Sequence, residues 1–224
     1  LGPIFVKFGQ AISTRRDLLP PDIADELAML QDRVPPFPAN EAIDILDRAY
    51  GQPVHNIFAR FDEEPFAAAS IAQIHTAKLH DGTEVIVKLL RPGVRKLIER
   101  DIEVLYALAG LADRYWNLGK RLRPLEVVAE YEKTIINELD LMREAANTAQ
   151  LKRNFEDSEM LYVPEVYFDH CKPQVLVQER IYGVPISDLE ALRTAGTNIQ
   201  VLAENGVEIF FTQVFHHNFF HADM

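Results

Sequence analysis

Apolar positions in residues 1–60 recur mostly at helical spacing and predict an N-terminal helical extension. Over residues 5–31 they fall three and four residues apart, with a pair of prolines in the middle that divides the segment into two helices. The run Pro35-Pro36-Phe37-Pro38 predicts a stiff linker, because proline fixes the backbone and donates no hydrogen bond. A short helix over residues 41–49 follows, and Gly51 ends it.

The pattern then changes to the alternation of a β-hairpin. Apolar side chains continue through Ile74 and Ala77 to the turn Asp81-Gly82, and the run Val85-Ile86-Val87 leads to Lys88. Two long helices are predicted next, over residues 94–116 and 125–155. A strand pair over residues 163–166 and 175–179 follows, and then a final helix over residues 199–215. The pattern therefore predicts a hairpin with helices on both sides of it in the sequence.

Composition and charge narrow the function classes. The 224 residues are 48% hydrophobic and 25% charged, which is ordinary for a globular protein with a sizeable core. A net charge of −11 argues against a protein that coats nucleic acid, since phosphate neutralisation needs a surplus of Lys and Arg. The single cysteine, Cys171, excludes an intrachain disulfide and a cysteine-based zinc site. No apolar run reaches the roughly 18 residues of a membrane span.

The chain carries an alanine-rich version of a kinase phosphate-covering loop. In Ala67-Ala68-Ala69-Ser70-Ile71-Ala72-Gln73-Ile74, alanines occupy the three glycine positions of that motif, and Ile74 occupies the valine position. Glycine lets backbone N–H groups approach phosphate closely, so alanine predicts a stiffer loop with altered nucleotide handling. Taken alone, the match is weak, and a tight hairpin with small residues packed beneath it would be the favoured interpretation.

Lys88 stands fourteen residues after Ile74, at the position of the strand lysine that contacts the α and β phosphates in kinases. A lysine that ends a buried strand requires a carboxylate partner, because a lone buried ion costs on the order of several kcal/mol. We predict Glu144 as that partner. On the helix predicted around residues 137–148, Asp140 and Glu144 are four residues apart and share one face, whereas Glu138 points to the other side. An ordinary solvated helix face would carry the same three acids.

The last residues of the sequence resemble a kinase catalytic loop. In His221-Ala222-Asp223 an aspartate follows a histidine by two positions. Asp223 would orient or deprotonate the attacking hydroxyl group. Such a tripeptide is common by chance, but it follows a hairpin, a lysine, an acidic helix, a strand pair and a helix in the kinase order. That order favours the catalytic interpretation.

Several motifs together resemble the UbiB atypical kinase-like family. Lys7-Phe8-Gly9-Gln10 resembles its Lys-x-Gly-Gln signature, Ala67 to Ser70 its alanine-rich loop, and Glu138-Leu139-Asp140 its Glu-x-Asp motif. Three further positions resemble its nucleotide lysine, the acid that pairs with that lysine and its catalytic-loop aspartate: Lys88, Glu144 and Asp223. The resemblance covers essentially the whole chain.

The resemblance implies an α+β, protein-kinase-like fold with a small antiparallel β N-lobe and a helical C-lobe. Residues 1–60 would form the extension that carries the Lys-x-Gly-Gln motif, residues 61–182 the N-lobe with inserted helices, and residues 183–224 the start of a truncated C-lobe. It also implies binding of ATP and Mg, and an atypical kinase or ATPase activity in ubiquinone biosynthesis.

The same resemblance implies an occluded cleft and a set of partners. Lys7, Gly9 and Gln10 would fill the space that admits a peptide in ordinary kinases, and we expect Lys7 to pair with Glu138. The implied partners are nucleotide, an isoprenoid lipid or ubiquinone precursor, and other ubiquinone biosynthesis proteins, at the cytoplasmic face of a bacterial inner membrane. Because the sequence stops at Met224, we expect the metal ligands beyond it and the truncated chain to be inactive.

Three functions remain open at this point. The first is an ATPase or kinase that acts on a small molecule, lipid or protein of the ubiquinone pathway. The second is a non-catalytic, nucleotide-gated module that binds isoprenoid lipid or scaffolds other biosynthetic proteins through its apolar N-terminal helices. The third, an antibiotic-type phosphotransferase, gives no reason for the Lys7 to Gln10 motif.

Overall fold

The computed structural model describes Ile4, residues 35–115 and residues 123–220. The helices are α1 (Ala39–Tyr50), α2 (Val94–Tyr115), α3 (Pro124–Glu138), α4 (Leu141–Asn154), α5 (Leu189–Thr194) and α6 (Ile199–Phe211), which a π-helical turn, Thr212–His216, continues. The strands are β1 (Arg60–Phe61), β2 (Ala67–Ala68), β3 (Ala72–Lys78), β4 (Glu84–Leu90) and β5 (Val175–Glu179). The fold is therefore α+β.

The described strands form one antiparallel sheet in the order β1, β3, β4, β5, with β2 pairing with β3 next to β1. β3 and β4 form a hairpin in which every residue of β3 has a partner on β4. Gly82, at φ 93°, supplies the left-handed residue of the turn between them. The predicted hairpin is confirmed. β4 continues to Leu90, so Lys88 projects from within the strand and not from its end.

The two faces of this sheet have different surroundings. His75, Val87 and Val177 lie abreast on one face, and all three are fully buried. Aromatic rings cover this face: Phe61 stacks on His75 with ring centres 4.8 Å apart, and Phe58 packs on Phe61. The opposite face carries Lys88, whose side chain meets Glu144 of α4. The candidate functional site therefore lies on this face.

The single helix predicted over residues 125–155 is wrong, because the structure has two helices there. Asp140 makes the break: its backbone is extended, at φ −118° and ψ 95°, and its carboxylate accepts a hydrogen bond from the Met142 N–H. This is an N-cap, which starts a new helix. Ile135, Leu139, Met142 and Ala145 all pack in or against the core at steps of four, three and three residues, so the helical apolar spacing continues through the break. Periodicity alone therefore could not separate α3 from α4.

The predicted strand over residues 163–166 is also wrong. In this segment only Val166 bridges to β5, opposite Gln178, and β5 takes β4 as its main partner. Pro164 has no N–H to donate, which limits the segment to isolated contacts with the sheet. The strand predicted over residues 175–179 is confirmed.

The helices predicted over residues 5–31 lie outside the described residues. Ile4 is helical and buried, and its carbonyl accepts a hydrogen bond of 3.3 Å from the Tyr131 hydroxyl of α3. None of the helices in the described part of the chain has the length and hydropathy needed to cross a bilayer. The domain boundaries stay predictions: 1–60, 61–182 and 183–224.

Two glycines give opposite predictions for stability. Gly51 ends α1 at φ +69°, where a side chain strains the backbone, so Gly51→Ala should lower the free energy of unfolding by about 1 kcal/mol. Gly110 lies inside α2 with open space around it, so Gly110→Ala should raise that free energy by about 1 kcal/mol. Urea denaturation measures both, and changes of the same sign would contradict this account.

Candidate functional site

Lys88 and Glu144 form a two-pronged ion pair between the sheet and α4. Lys88 Nζ lies 2.8 Å from each carboxylate oxygen of Glu144. Glu144 comes from the first turn of α4, and Lys88 comes from within β4. The side chains are 26% and 42% exposed, so the ammonium group stays within reach of a ligand. The structure brings together the two residues that the sequence analysis paired, and their roles in nucleotide binding stay predictions.

Apolar side chains flank Lys88 on the same face of the sheet. Ile74 and Leu176 are its direct cross-strand neighbours, and such neighbours share a face. Ile86, two residues earlier on β4, also points to this side. The sequence analysis did not name Ile86 as a site residue. The signal was available, because residues two apart on a strand point to the same face and Ile86 is two residues before Lys88. A cation beside an apolar wall suits a ligand that has both a charged part and a flat apolar part.

The alanine-rich segment forms β2, a tight turn and the start of β3. The Ala69 N–H donates to the Ala72 carbonyl over 2.9 Å and closes the turn. No residue from Ala67 to Ile74 has a positive φ, so the turn needs no glycine and alanine causes no backbone strain there. Ser70 lies in the turn and is fully buried, and its hydroxyl has no hydrogen-bond partner within the described structure.

A buried polar network lies beneath the hairpin, on the face opposite Lys88. The His75 Nδ1–H donates to the Asp62 carbonyl over 2.8 Å, so His75 Nε2 accepts the bond of 2.9 Å from Gln73 Nε2. Gln73 Oε1 in turn accepts from the Phe37 N–H over 2.9 Å. Burial lowers the pKa of His75 below its ordinary value of 6.5, and the bond to Asp62 offsets this only in part. His75 is therefore a neutral member of the network.

Glu138 and Asp140 lie on the two sides of the break between α3 and α4. Asp140 caps α4, so it does not share a helix face with Glu144, which corrects that part of the sequence analysis. Glu138 ends α3, and its charge adds to burial in raising the pKa of Tyr131 to about 12. Tyr131 also contacts Ile4, so Glu138 lies near the point where α3 contacts that residue.

Four predicted site residues lie outside the described part of the chain: Lys7, Gly9, Gln10 and Asp223. The predicted pairing of Lys7 with Glu138 therefore stays a prediction. Within residues 35–115 and 123–220, no group of three or more His, Cys, Asp or Glu side chains is arranged to hold a metal ion. The described part of the candidate site thus consists of one ion pair, an apolar wall and a hairpin.

Comparison with known proteins gives three findings. Residues 29–224 match the ABC1 atypical kinase-like domain. Over all 224 residues the chain is 58% identical to a probable protein kinase UbiB of Marinobacter nauticus and 59% identical to one of Azotobacter vinelandii, and it spans 41% and 42% of their lengths. The solved complex of Rv3197 with erythromycin, from Mycobacterium tuberculosis, is 29% identical, with a TM-score of 0.61 over 86% of this chain and 47% of that one.

The buried Ser70 hydroxyl predicts a stabilising substitution. Ser70→Ala removes a buried polar group that has no partner, so the free energy of unfolding should rise by about 1 kcal/mol. Thr76→Val is the matched control, because the Thr76 hydroxyl donates to Asp62 and its loss should lower that free energy by about 1 kcal/mol. Denaturation curves measure both, and a destabilising Ser70→Ala would show that the hydroxyl has a partner after all.

The neutral His75 predicts that acid weakens the fold. Its folded pKa lies below 6.5, so the unfolded chain takes up a proton first as the pH falls, and stability present above pH 6.5 is lost below it. The free energy of unfolding should drop between about pH 7.5 and about pH 5.5, and His75→Gln should reduce that drop. His80→Gln, at an exposed histidine, is the control and should leave the drop unchanged.

Proposed function

The chain belongs to the ABC1 atypical kinase-like family, and from this premise we propose that it forms the ATP-binding part of a UbiB-like atypical kinase or ATPase that supports ubiquinone biosynthesis. The observation that carries the proposal is the ion pair of Lys88 with Glu144 beside the alanine-rich hairpin. The proposed phosphate acceptor is a small molecule, lipid or protein of that pathway.

Lys88 would contact the α and β phosphates of ATP, as the strand lysine does in kinases. Its ammonium group has three hydrogens to donate, and the two oxygens of Glu144 accept two of them. One donor and the positive charge remain for phosphate. Glu144 would thus hold Nζ in place before the nucleotide arrives, which lowers the ordering cost of binding.

The neighbouring side chains support the fit of the rest of the nucleotide. Ile74 and Ile86 lie on the face of Lys88 and are half-buried, so a base could cover apolar surface that water now reaches. The turn from Ala69 to Ala72 would cover the phosphates with its backbone. Ala67, Ala68 and Ser70 belong to the same hairpin and would fix its position.

Asp223 is proposed to orient or deprotonate the attacking hydroxyl group. Magnesium is proposed to reach the site bound to the phosphates of ATP, which supply part of its ligand set in kinase-type sites. The described residues offer no metal cluster of their own, so we assign no step to the metal.

The Lys-x-Gly-Gln motif of Lys7, Gly9 and Gln10 is proposed to lie over the cleft, with Lys7 paired to Glu138. Two observations on α3 support this placement. Ile4, three residues before Lys7, is buried and bonded to Tyr131, and Glu138 is close enough to Tyr131 to influence its pKa. On the helix that the sequence predicts for this segment, Lys7 would lie only about 4.5 Å along the axis from Ile4, a distance that would allow it to reach Glu138.

A second candidate function is a nucleotide-gated module that binds an isoprenoid lipid or ubiquinone precursor, or scaffolds other ubiquinone biosynthesis proteins. The observation that favours it is a set of exposed apolar side chains along α2: Leu97, Val104, Leu108, Leu111 and Tyr115. We propose that this surface contacts another molecule, since a contiguous exposed apolar patch is typical of interaction sites. The proposed location is the cytoplasmic face of a bacterial inner membrane.

The proposal predicts that nucleotide binding depends on Lys88. In the full-length protein Lys88→Ala should weaken MgATP binding at least about tenfold, because the charge-assisted bonds to phosphate are lost. Lys133→Ala, at an exposed lysine paired with Glu130, is the matched control and should bind like the parent protein. Isothermal titration calorimetry measures the affinity, and equal binding by Lys88→Ala would refute the nucleotide site.

The two candidate functions separate at Asp223. If Asp223→Asn loses ATP turnover but still binds MgATP, the result would support the kinase or ATPase function. If the parent protein binds nucleotide but shows no ATP turnover with lipid or phenolic compounds added, the result would support the non-catalytic binding module.

A further inference from the structure

Arg91 connects the alanine-rich turn to the proline-rich linker before α1. It lies one residue beyond β4, and its Nε donates to the Ala69 carbonyl over 2.8 Å. Its Nη1 donates to the Pro35 carbonyl over 3.0 Å. Its backbone N–H donates to the Ile71 carbonyl over 2.9 Å. One residue thus bonds twice to the turn and once to the linker.

The linker is held from a second side by Gln73. Among residues 35–38 only Phe37 has a backbone N–H, since the other three are prolines. That N–H donates to Gln73 Oε1 over 2.9 Å, and Gln73 Nε2 lies 3.4 Å from the Phe37 carbonyl. The Phe37 ring is buried, and the Arg91 guanidinium lies 5.8 Å from its centre.

These contacts join the alanine-rich turn, which belongs to the proposed nucleotide site, to the proline-rich linker, which does not. Ala69 and Ile71 belong to the turn that would cover the phosphates, whereas Pro35 and Phe37 belong to the linker that precedes α1 within the N-terminal extension. Arg91 bonds to both through backbone carbonyls, so the position of one restricts the position of the other. A guanidinium suits this role because its donors form a rigid planar fork.

We propose that Arg91 is a positioning residue for the alanine-rich turn, and that it couples nucleotide binding at the turn to docking of the Pro35–Pro38 linker. This inference rests on the proposed function. A linker docked by Arg91 and Gln73 holds the turn in the geometry that the phosphates need. Coupling is reciprocal, so bound nucleotide must in turn secure the linker.

The test uses two variants of the full-length protein. One changes Arg91, and the other changes Phe37 of the linker. Arg91→Lys keeps the charge and removes the planar fork, and Phe37→Leu keeps an apolar side chain in the linker but removes the ring beside the guanidinium. Arg95→Lys is the matched control, because Arg95 is exposed on α2 and its ion pair among the described residues is a local one with Glu99. Calorimetry gives the Kd for MgATP, and hydrogen exchange follows the Phe37 amide.

Both variants should raise the Kd for MgATP at least about fivefold, the lower end of typical coupling between sites. MgATP should slow exchange of the Phe37 amide in the parent protein and in Arg95→Lys, and this protection should shrink in Arg91→Lys. A structural role alone would lower the melting temperature and leave the Kd unchanged, and that result would overturn the inference. If the parent protein itself binds no MgATP, the proposed function fails first, which distinguishes the two failures.

Discussion

The ion pair between Lys88 and Glu144 is the constraint on which the candidate site depends. It joins a strand to a helix that starts anew at Asp140, so the direction of α4 determines where the carboxylate meets the lysine. Partial exposure keeps the pair from adding much to stability, since solvated ion pairs contribute little. Its value lies in geometry: it fixes one cation at the edge of an apolar wall.

Much of this arrangement was predictable from local sequence. The hairpin, the strand that carries Lys88 and the acid that meets it follow from alternation, turn residues and the cost of an unpaired charge, and the family resemblance and the α+β, kinase-like fold are confirmed. The break at Asp140 was missed because Leu139 and Met142, three residues apart, keep the helical apolar spacing across it. An aspartate ahead of a helical run is a capping signal, and it was the available sign of the break.

Contacts between distant segments could not be predicted in the same way. Arg91 reaches Pro35 across 56 positions, and Gln73 reaches Phe37 across 36. A polar side chain after a strand has many possible acceptors, and sequence alone does not choose among them. Arg91 begins a basic stretch with Arg95, Lys96 and Arg100, a pattern that fits a solvated helix face. In the structure, Arg91 instead bonds back to the alanine-rich turn.

The proline-rich linker has a consequence for how the chain tolerates changes of length. Its residues before α1 include Pro38 at φ −58° and ψ 146°, the conformation of a polyproline II helix, which rises about 3.1 Å per residue and turns once every three residues or so. Adding or deleting one residue would displace the chain upstream by about 3 Å and rotate it by about a third of a turn. At Pro38, the number of residues therefore affects the position of the preceding chain more than the identity of the side chain does.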